Sequence, residues 1–138
     1  MLIIYRLLIY LAILLSPIII LIRLFKKKED IKRFKEKFCF FSEKRKNEKL
    51  ICFHGASVGE IKSIVPLIEK LENEKKINQI LVTSSTLSSS KIFEKFKFKK
   101  TLHQFYPLDN IYIINNFLSY WKPSSVIFVE SEIWPTMI

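Results

Sequence analysis

The sequence predicts an α/β domain with a parallel, doubly wound sheet, preceded by a transmembrane or membrane-anchoring helix. Three observations carry this prediction. From residue 50 onward, short β-prone runs alternate with stretches whose apolar residues recur at helical spacing. The last run, Ser125–Glu130, is apolar from Val126 to Val129, as a parallel strand buried on both faces should be. Ahead of all this, residues 1–25 carry only two charged side chains, Arg6 and Arg23.

Residues 1–25 read as the anchor. Leu7–Ile22 is an uncharged run of 16 residues. Twenty-four helical residues from Leu2 to Phe25 would extend roughly 36 Å, enough to cross a hydrocarbon core of about 30 Å with both arginines snorkelling. Pro17 should kink this helix, which membrane helices tolerate. A secretory signal peptide would put its charge before the apolar core and end at a small-residue cleavage site. Here Lys26-Lys27-Lys28 follows the core, so by the positive-inside rule the rest of the chain lies in the cytoplasm. An uncleaved interfacial helix is the alternative.

Residues 26–49 read as a basic juxtamembrane segment. The net charge of the chain is +10, and this segment supplies +6 of it from eleven basic and five acidic residues. The excess is a local block and not a basic surface overall. Phe34, Phe38, Phe40 and Phe41 interleave with the lysines and arginines. Nucleic acid is one partner for such a pattern. A segment beside an anionic bilayer has a simpler use for it, because each basic residue near the surface contributes about 1 kcal/mol of attraction. Anionic inner-membrane lipid is therefore the expected partner, with no nucleic acid; a solvated charge run is the alternative. Cys39 and Cys52 lack metal-ligand spacing and read as two reduced thiols.

Residues 50–138 form the domain, organised around Leu50–Glu60. This stretch holds Gly55 and Gly59, the only two glycines of the chain. It reads as strand, tight turn and helix, with small residues where the backbone approaches something closely and with glycine freedom that is hard to replace. Ile61, Ile64, Val65, Ile68 and Leu71 mark the buried face of the helix. Next come a strand at Gln79–Thr83, a hydroxyl cluster at Ser84-Ser85-Thr86, and a helix at Ser88–Phe96. Leu102–Tyr106 is a third strand, closed by Pro107. Asp109 is the expected N-cap of a helix burying Ile111, Ile114, Phe117, Leu118 and Trp121, and Lys122-Pro123 stops it.

In such sheets ligands bind beyond the carboxyl ends of the strands, where the strand order reverses. With the order 3-2-1-4, the first and fourth strands are neighbours at that reversal. Glu60, in the first helical turn after strand one, and Glu130, ending strand four, would then converge on one crevice. That placement suits a general base and a supporting carboxylate. Compensation of the helix dipole is the competing reading of Glu60. A P-loop is excluded, because three residues separate the glycines and Glu60 follows the second. The dinucleotide-binding glycine fingerprint is absent as well.

His54-Gly55-Ala56-Ser57-Val58-Gly59-Glu60 with Pro66-Leu67-Ile68 resembles the 3-deoxy-D-manno-octulosonic acid (Kdo) transferases of lipopolysaccharide synthesis. So do Leu81–Thr86, Tyr106-Pro107-Leu108-Asp109, and Val129-Glu130-Ser131-Glu132-Ile133-Trp134-Pro135. The pieces occur in order across Leu50–Pro135, behind an apolar helix. The resemblance implies the N-terminal, acceptor-side Rossmann-like half of an inverting GT-B glycosyltransferase at the bacterial inner membrane. It implies transfer of Kdo from the donor CMP-Kdo to a hydroxyl of the lipid A precursor, with no cofactor and no metal. Carried over by motif, Glu60 matches the general base and Glu130 a second essential carboxylate that supports the transition state. Ser57, Gly59, Ser84, Ser85 and Thr86 are expected near the substrate on location alone.

One departure accompanies the resemblance. Family members are far longer and carry most nucleotide-sugar contacts on a second Rossmann-like domain, whereas this sequence stops at Ile138. The missing C-terminal GT-B domain is the expected partner, and a fragment and a truncated product both fit. Two further readings stay open: another membrane-bound GT-B transferase acting on a lipid-linked sugar, and a non-catalytic, membrane-tethered α/β module.

Overall fold

The computed structural model describes residues 1–129. It contains helix α1 (Leu2–Phe25), followed by alternating strands and helices: β1 (Leu50–His54), α2 (Val58–Glu72), β2 (Gln79–Ser84), α3 (Leu87–Glu94), β3 (Thr101–Phe105), α4 (Ile111–Trp121) and β4 (Ser125–Phe128). The four strands are parallel and ordered β3-β2-β1-β4, the expected arrangement. β1 is central, with His54 level with Thr83 on one side and Phe128 on the other.

The two faces of the sheet are read out by the alternation of the strands. Phe53, Ile80 and Val82 point to one side, against Ile61, Ile64 and Ile68 of α2 and Phe93 of α3. Leu50, Cys52 and Leu81 point to the other, against Phe117 and Trp121 of α4. Apolar layers on both faces are what a parallel sheet requires.

Residues 26–49 complete the α4 face. A 3₁₀ turn at Phe34–Phe38 lies beside β3. Glu36, buried in a run of lysines, accepts from the Phe105 amide at 2.9 Å and pairs with Arg33 at 2.8 Å. Phe41 stacks on Tyr120 at 3.7 Å, and the Cys39 thiol donates to the Ile113 carbonyl. Gln79 ties Lys44 and Lys46 to the start of β2.

Several local expectations shift. The N-cap of α4 is Asn110, whose Oδ1 accepts from the Tyr112 and Ile113 amides, and not Asp109. Asp109 instead accepts from the Tyr5 hydroxyl of α1. Ile111, expected in the core, is exposed on the first turn. α3 and β3 each begin one residue earlier than expected. β4 is shorter than expected and not buried on both faces: Val126 is 36% and Ile127 42% exposed, because the strand lies at the sheet edge and pairs only with β1 among the described residues.

α1 is long and apolar enough to cross a membrane, and only 11% of its most apolar window is buried against the protein. Its N-terminal end touches the domain, where Tyr5 bonds Asp109, and at its other end Arg23 pairs with Glu29 of the following segment at 2.6 Å.

Candidate active site

The turn between β1 and α2 is built from short polar side chains that hold one another. Ser57 caps α2, its Oγ accepting from the Glu60 amide at 3.3 Å. The Glu60 carboxylate reaches back, accepting from the Ala56 amide at 2.7 Å and from the Ser57 hydroxyl at 2.9 Å. This is a variant of the capping box, in which an N-cap Ser and an acidic residue three positions on satisfy the orphan donors of the helix start. Both carboxylate oxygens are thereby oriented, while the side chain stays half-buried at the carboxyl end of β1.

The two glycines differ. Neither has a positive φ, so the conformational freedom expected of them is not what is used. A Cβ on Gly55 would lie 3.2 Å from Glu60 Cβ and from Ile61 Cδ1, so Gly55 lets α2 close onto the strand end. A Cβ on Gly59 would meet nothing nearer than Ser57 Oγ at 3.9 Å. Gly59 leaves open space beside Glu60.

The hydroxyl cluster after β2 divides into three. Ser84 is fully buried, with its Oγ 2.7 Å from His103 Nε2. Arg33 donates to His103 Nδ1 at 3.0 Å; since a guanidinium only donates, Nε2 carries the proton and donates to Ser84. Thr86 caps α3 by accepting from the Ser89 amide. Ser89 Oγ in turn donates to the Ala56 carbonyl, bracing the two turns together. Ser85 lines a cavity beside α1. The structure thus brings Ser57, Gly59 and Glu60 together and turns the Ser84 hydroxyl inward. Glu130 lies outside the described residues, as does the stretch through Pro135.

His54 and Tyr106 form the floor of this region. The Thr83 hydroxyl donates to the Phe53 carbonyl at 3.3 Å and faces His54 Nδ1 at 3.0 Å, so Nδ1 carries the proton. Among the described residues His54 Nε2 is left buried without a partner, as is the hydroxyl of Tyr106, whose ring packs on His54 at 4.0 Å with a tilt of 37°. Burial pushes the His54 pKa down to about 4, against the opposing pull of Thr83 and Glu60. Burial, with Arg33 nearby, pushes His103 down to about 3. Both imidazoles are neutral at pH 7. Burial also raises the thiols of Cys39, to about 11, and Cys52, to about 12, which keeps them protonated. Among the described residues no group of three or more His, Cys, Asp or Glu could hold a metal.

The Ser57-x-x-Glu60 spacing carried the capping-box signature in the sequence. The packing of His54 on Tyr106 had no local signal, since 52 positions separate two residues that meet only across the sheet.

Comparison with known proteins gives this geometry a family context. Residues 32–138 match the family described as 3-deoxy-D-manno-octulosonic-acid transferase (kdotransferase). A protein of Rickettsia bellii named 3-deoxy-D-manno-octulosonic acid transferase is 43% identical over 136 residues, covering 96% of this chain and 32% of the relative. One of the same name from Rickettsia felis is 44% identical over 64% of this chain and 19% of its own length. Another from Aquifex aeolicus is 34% identical over 80% of this chain and 29% of its own length. The chain spans about a third or less of the length of these relatives.

Proposed function

The chain belongs to the 3-deoxy-D-manno-octulosonic acid (Kdo) transferase family, and from that premise we propose that it is the acceptor-side, N-terminal part of a GT-B glycosyltransferase. The reaction moves Kdo from CMP-Kdo to a hydroxyl of the lipid A precursor, lipid IVA. Glu60 takes the proton of the attacking hydroxyl as the new glycosidic bond forms on the face opposite the departing CMP, which keeps the electrons of the broken bond and inverts the anomeric centre. Glu130 supports the transition state. Ser57 positions Glu60, Gly59 leaves room for the acceptor sugar, and Ser85 and Thr86 border the same crevice.

The observation that supports this most is the double hold on Glu60. A general base must meet its substrate in a fixed geometry, and here the Ala56 amide and Ser57 hydroxyl orient both carboxylate oxygens. The position also agrees with the rule that open α/β sheets bind ligands beyond the carboxyl ends of their strands.

The membrane reading follows from the N-terminal third. α1, held to the domain by Tyr5 and along residues 9–16, anchors the protein as an interfacial helix at the cytoplasmic face of the bacterial inner membrane. Lys26, Lys27 and Lys28 stand exposed just beyond α1, ready for anionic headgroups.

An assay of the intact protein with lipid IVA and either CMP-Kdo or UDP-sugars tests the proposal. Kdo transfer from CMP-Kdo is expected. Transfer only from a UDP-sugar would make the protein a different lipid-directed GT-B enzyme. No transfer from any donor would leave a membrane-tethered, non-catalytic module.

A further inference from the structure

A cavity of about 290 Å³ lies between α1 and the carboxyl ends of β2 and β3. Ile9, Ile13 and Ser16 of α1 form one wall; Tyr106, Leu108 and Asp109 contribute to the other. The lining is mostly apolar, yet two polar atoms among these residues are buried without partners, the Tyr106 hydroxyl and Asp109 Oδ1. Buried polar atoms left unpaired are costly. An apolar cavity with a few convergent polar groups is the usual form of a small-molecule site.

We propose that this cavity holds one acyl chain of the lipid-linked acceptor, with a hydroxyl or amide of that chain paired to Tyr106 and Asp109. The proposal rests on the reading of the protein as a transferase acting on a lipid. Size limits the occupant, since the volume is at the small end of the roughly 300–1,000 Å³ of ligand pockets. It suits a single chain and not a whole glycolipid. Access argues for lipid over any water-soluble ligand. The wall formed by α1 is shared with the bilayer, because the other faces of the helix expose Leu7, Leu8 and Leu14. A chain can therefore enter from the membrane without crossing water. Chemistry fits the two orphan atoms: a phenol donates, a carboxylate accepts, and a hydroxyl on the chain does both. The location fits too, as the Tyr106 ring packs against His54, at the end of the strand that leads into the Glu60 turn.

The test uses the intact protein and compares kcat/KM on lipid IVA with kcat/KM on its deacylated form. Ile13→Trp fills the cavity, and Tyr106→Phe removes the orphan hydroxyl while keeping the ring. Ile13→Trp is expected to lower the acylated-to-deacylated ratio by roughly tenfold or more, the effect of displacing about two methylenes. Tyr106→Phe is expected to lower it by roughly two- to tenfold, one hydrogen bond. A ratio unchanged in Ile13→Trp, whether both values hold or fall together, overturns the proposal. A second measurement needs no turnover: lipid IVA bearing a diazirine on its chain is photolysed on the protein and the adducts are mapped. Adducts at Ile9, Ile13 and Leu108 are expected, and adducts confined to Leu7, Leu8 and Leu14 overturn it. A protein that transfers Kdo to neither acceptor ends the transferase reading, while the adduct map still decides the cavity.

Discussion

Arg33 donates from one guanidinium nitrogen to both the carbonyl and the Nδ1 of His103, at 2.8 and 3.0 Å, across 70 positions of sequence. The basic segment is thereby stitched to β3. The same arginine pairs with the buried carboxylate of Glu36. Removing one member of a buried pair strands the other, at about 3–5 kcal/mol. Glu36→Ala should therefore lower the unfolding free energy by that order, while Glu43→Ala, an exposed acidic change in the same segment, should stay within about 0.5 kcal/mol. Urea melts of the detergent-solubilised protein compare the two. Equal small effects would mean that residues 26–49 are not part of the folded unit.

Acid should destabilise the fold through its two histidines. His54 and His103 have folded pKa values near 4 and 3, below the ordinary 6.5. The unfolded chain thus takes up protons that the native state refuses. Their contribution to stability is full well above pH 6.5 and is lost as the pH falls through about 4 for His54 and about 3 for His103, at up to about 1.4 kcal/mol per pH unit for each group. Stability measured at pH 7, 6 and 5 should fall along that slope, and His103→Gln should flatten it. A profile in which His103→Gln has the same slope as wild type would contradict the neutral, buried assignment.

The two glycines should respond in opposite ways. Gly55→Ala puts a methyl group 3.2 Å from two α2 side-chain atoms and should cost about 1–3 kcal/mol as overpacking. Gly59→Ala meets open space inside the first turn of α2 and should hold or raise stability, by up to about 1 kcal/mol. If the acceptor sugar approaches at Gly59, that stable variant should still raise KM for lipid IVA. Normal kinetics in Gly59→Ala would remove Gly59 from the site.

Ser57→Ala should separate the capping role from the chemistry. Loss of the cap costs about 1 kcal/mol of stability. Loss of the hydroxyl also frees one oxygen of Glu60, which should lower kcat by roughly two- to tenfold, the size of one hydrogen bond. Ser57→Thr keeps an Oγ and should recover most of both. Failure of Thr to rescue either quantity would mean the hydroxyl is not what matters there.

The strand order, the place of Glu60 and the buried face of α2 were legible because each rests on a local period or on topology that follows from it. The capping of α4 slipped by one residue because Asp109 and Asn110 are both good caps. Which one serves is decided by Tyr5, 104 positions away, which takes Asp109. Glu36 was hidden for the opposite reason: within a lysine-rich run it reads as solvated, and only its contact with the Phe105 amide shows otherwise. β4 read as buried from its apolar run, yet among the described residues it lies at the sheet edge with β1 as its one neighbour, and Val126 and Ile127 are exposed there.

Steady-state turnover of Glu60→Gln with CMP-Kdo and lipid IVA, run beside its melting curve, tests the central claim most directly. The amide keeps the size of the carboxylate but cannot accept from both the Ala56 amide and the Ser57 hydroxyl in the same way, so a stability loss of roughly 0.5–1.5 kcal/mol is expected. Removal of a general base should instead lower kcat by roughly 10²–10⁴. A variant that melts nearly as wild type and turns over a hundredfold or more slowly is the predicted result. Retention of more than about a tenth of the wild-type rate, less than the smallest loss a general base should show, would reduce Glu60 to the helix cap it also is.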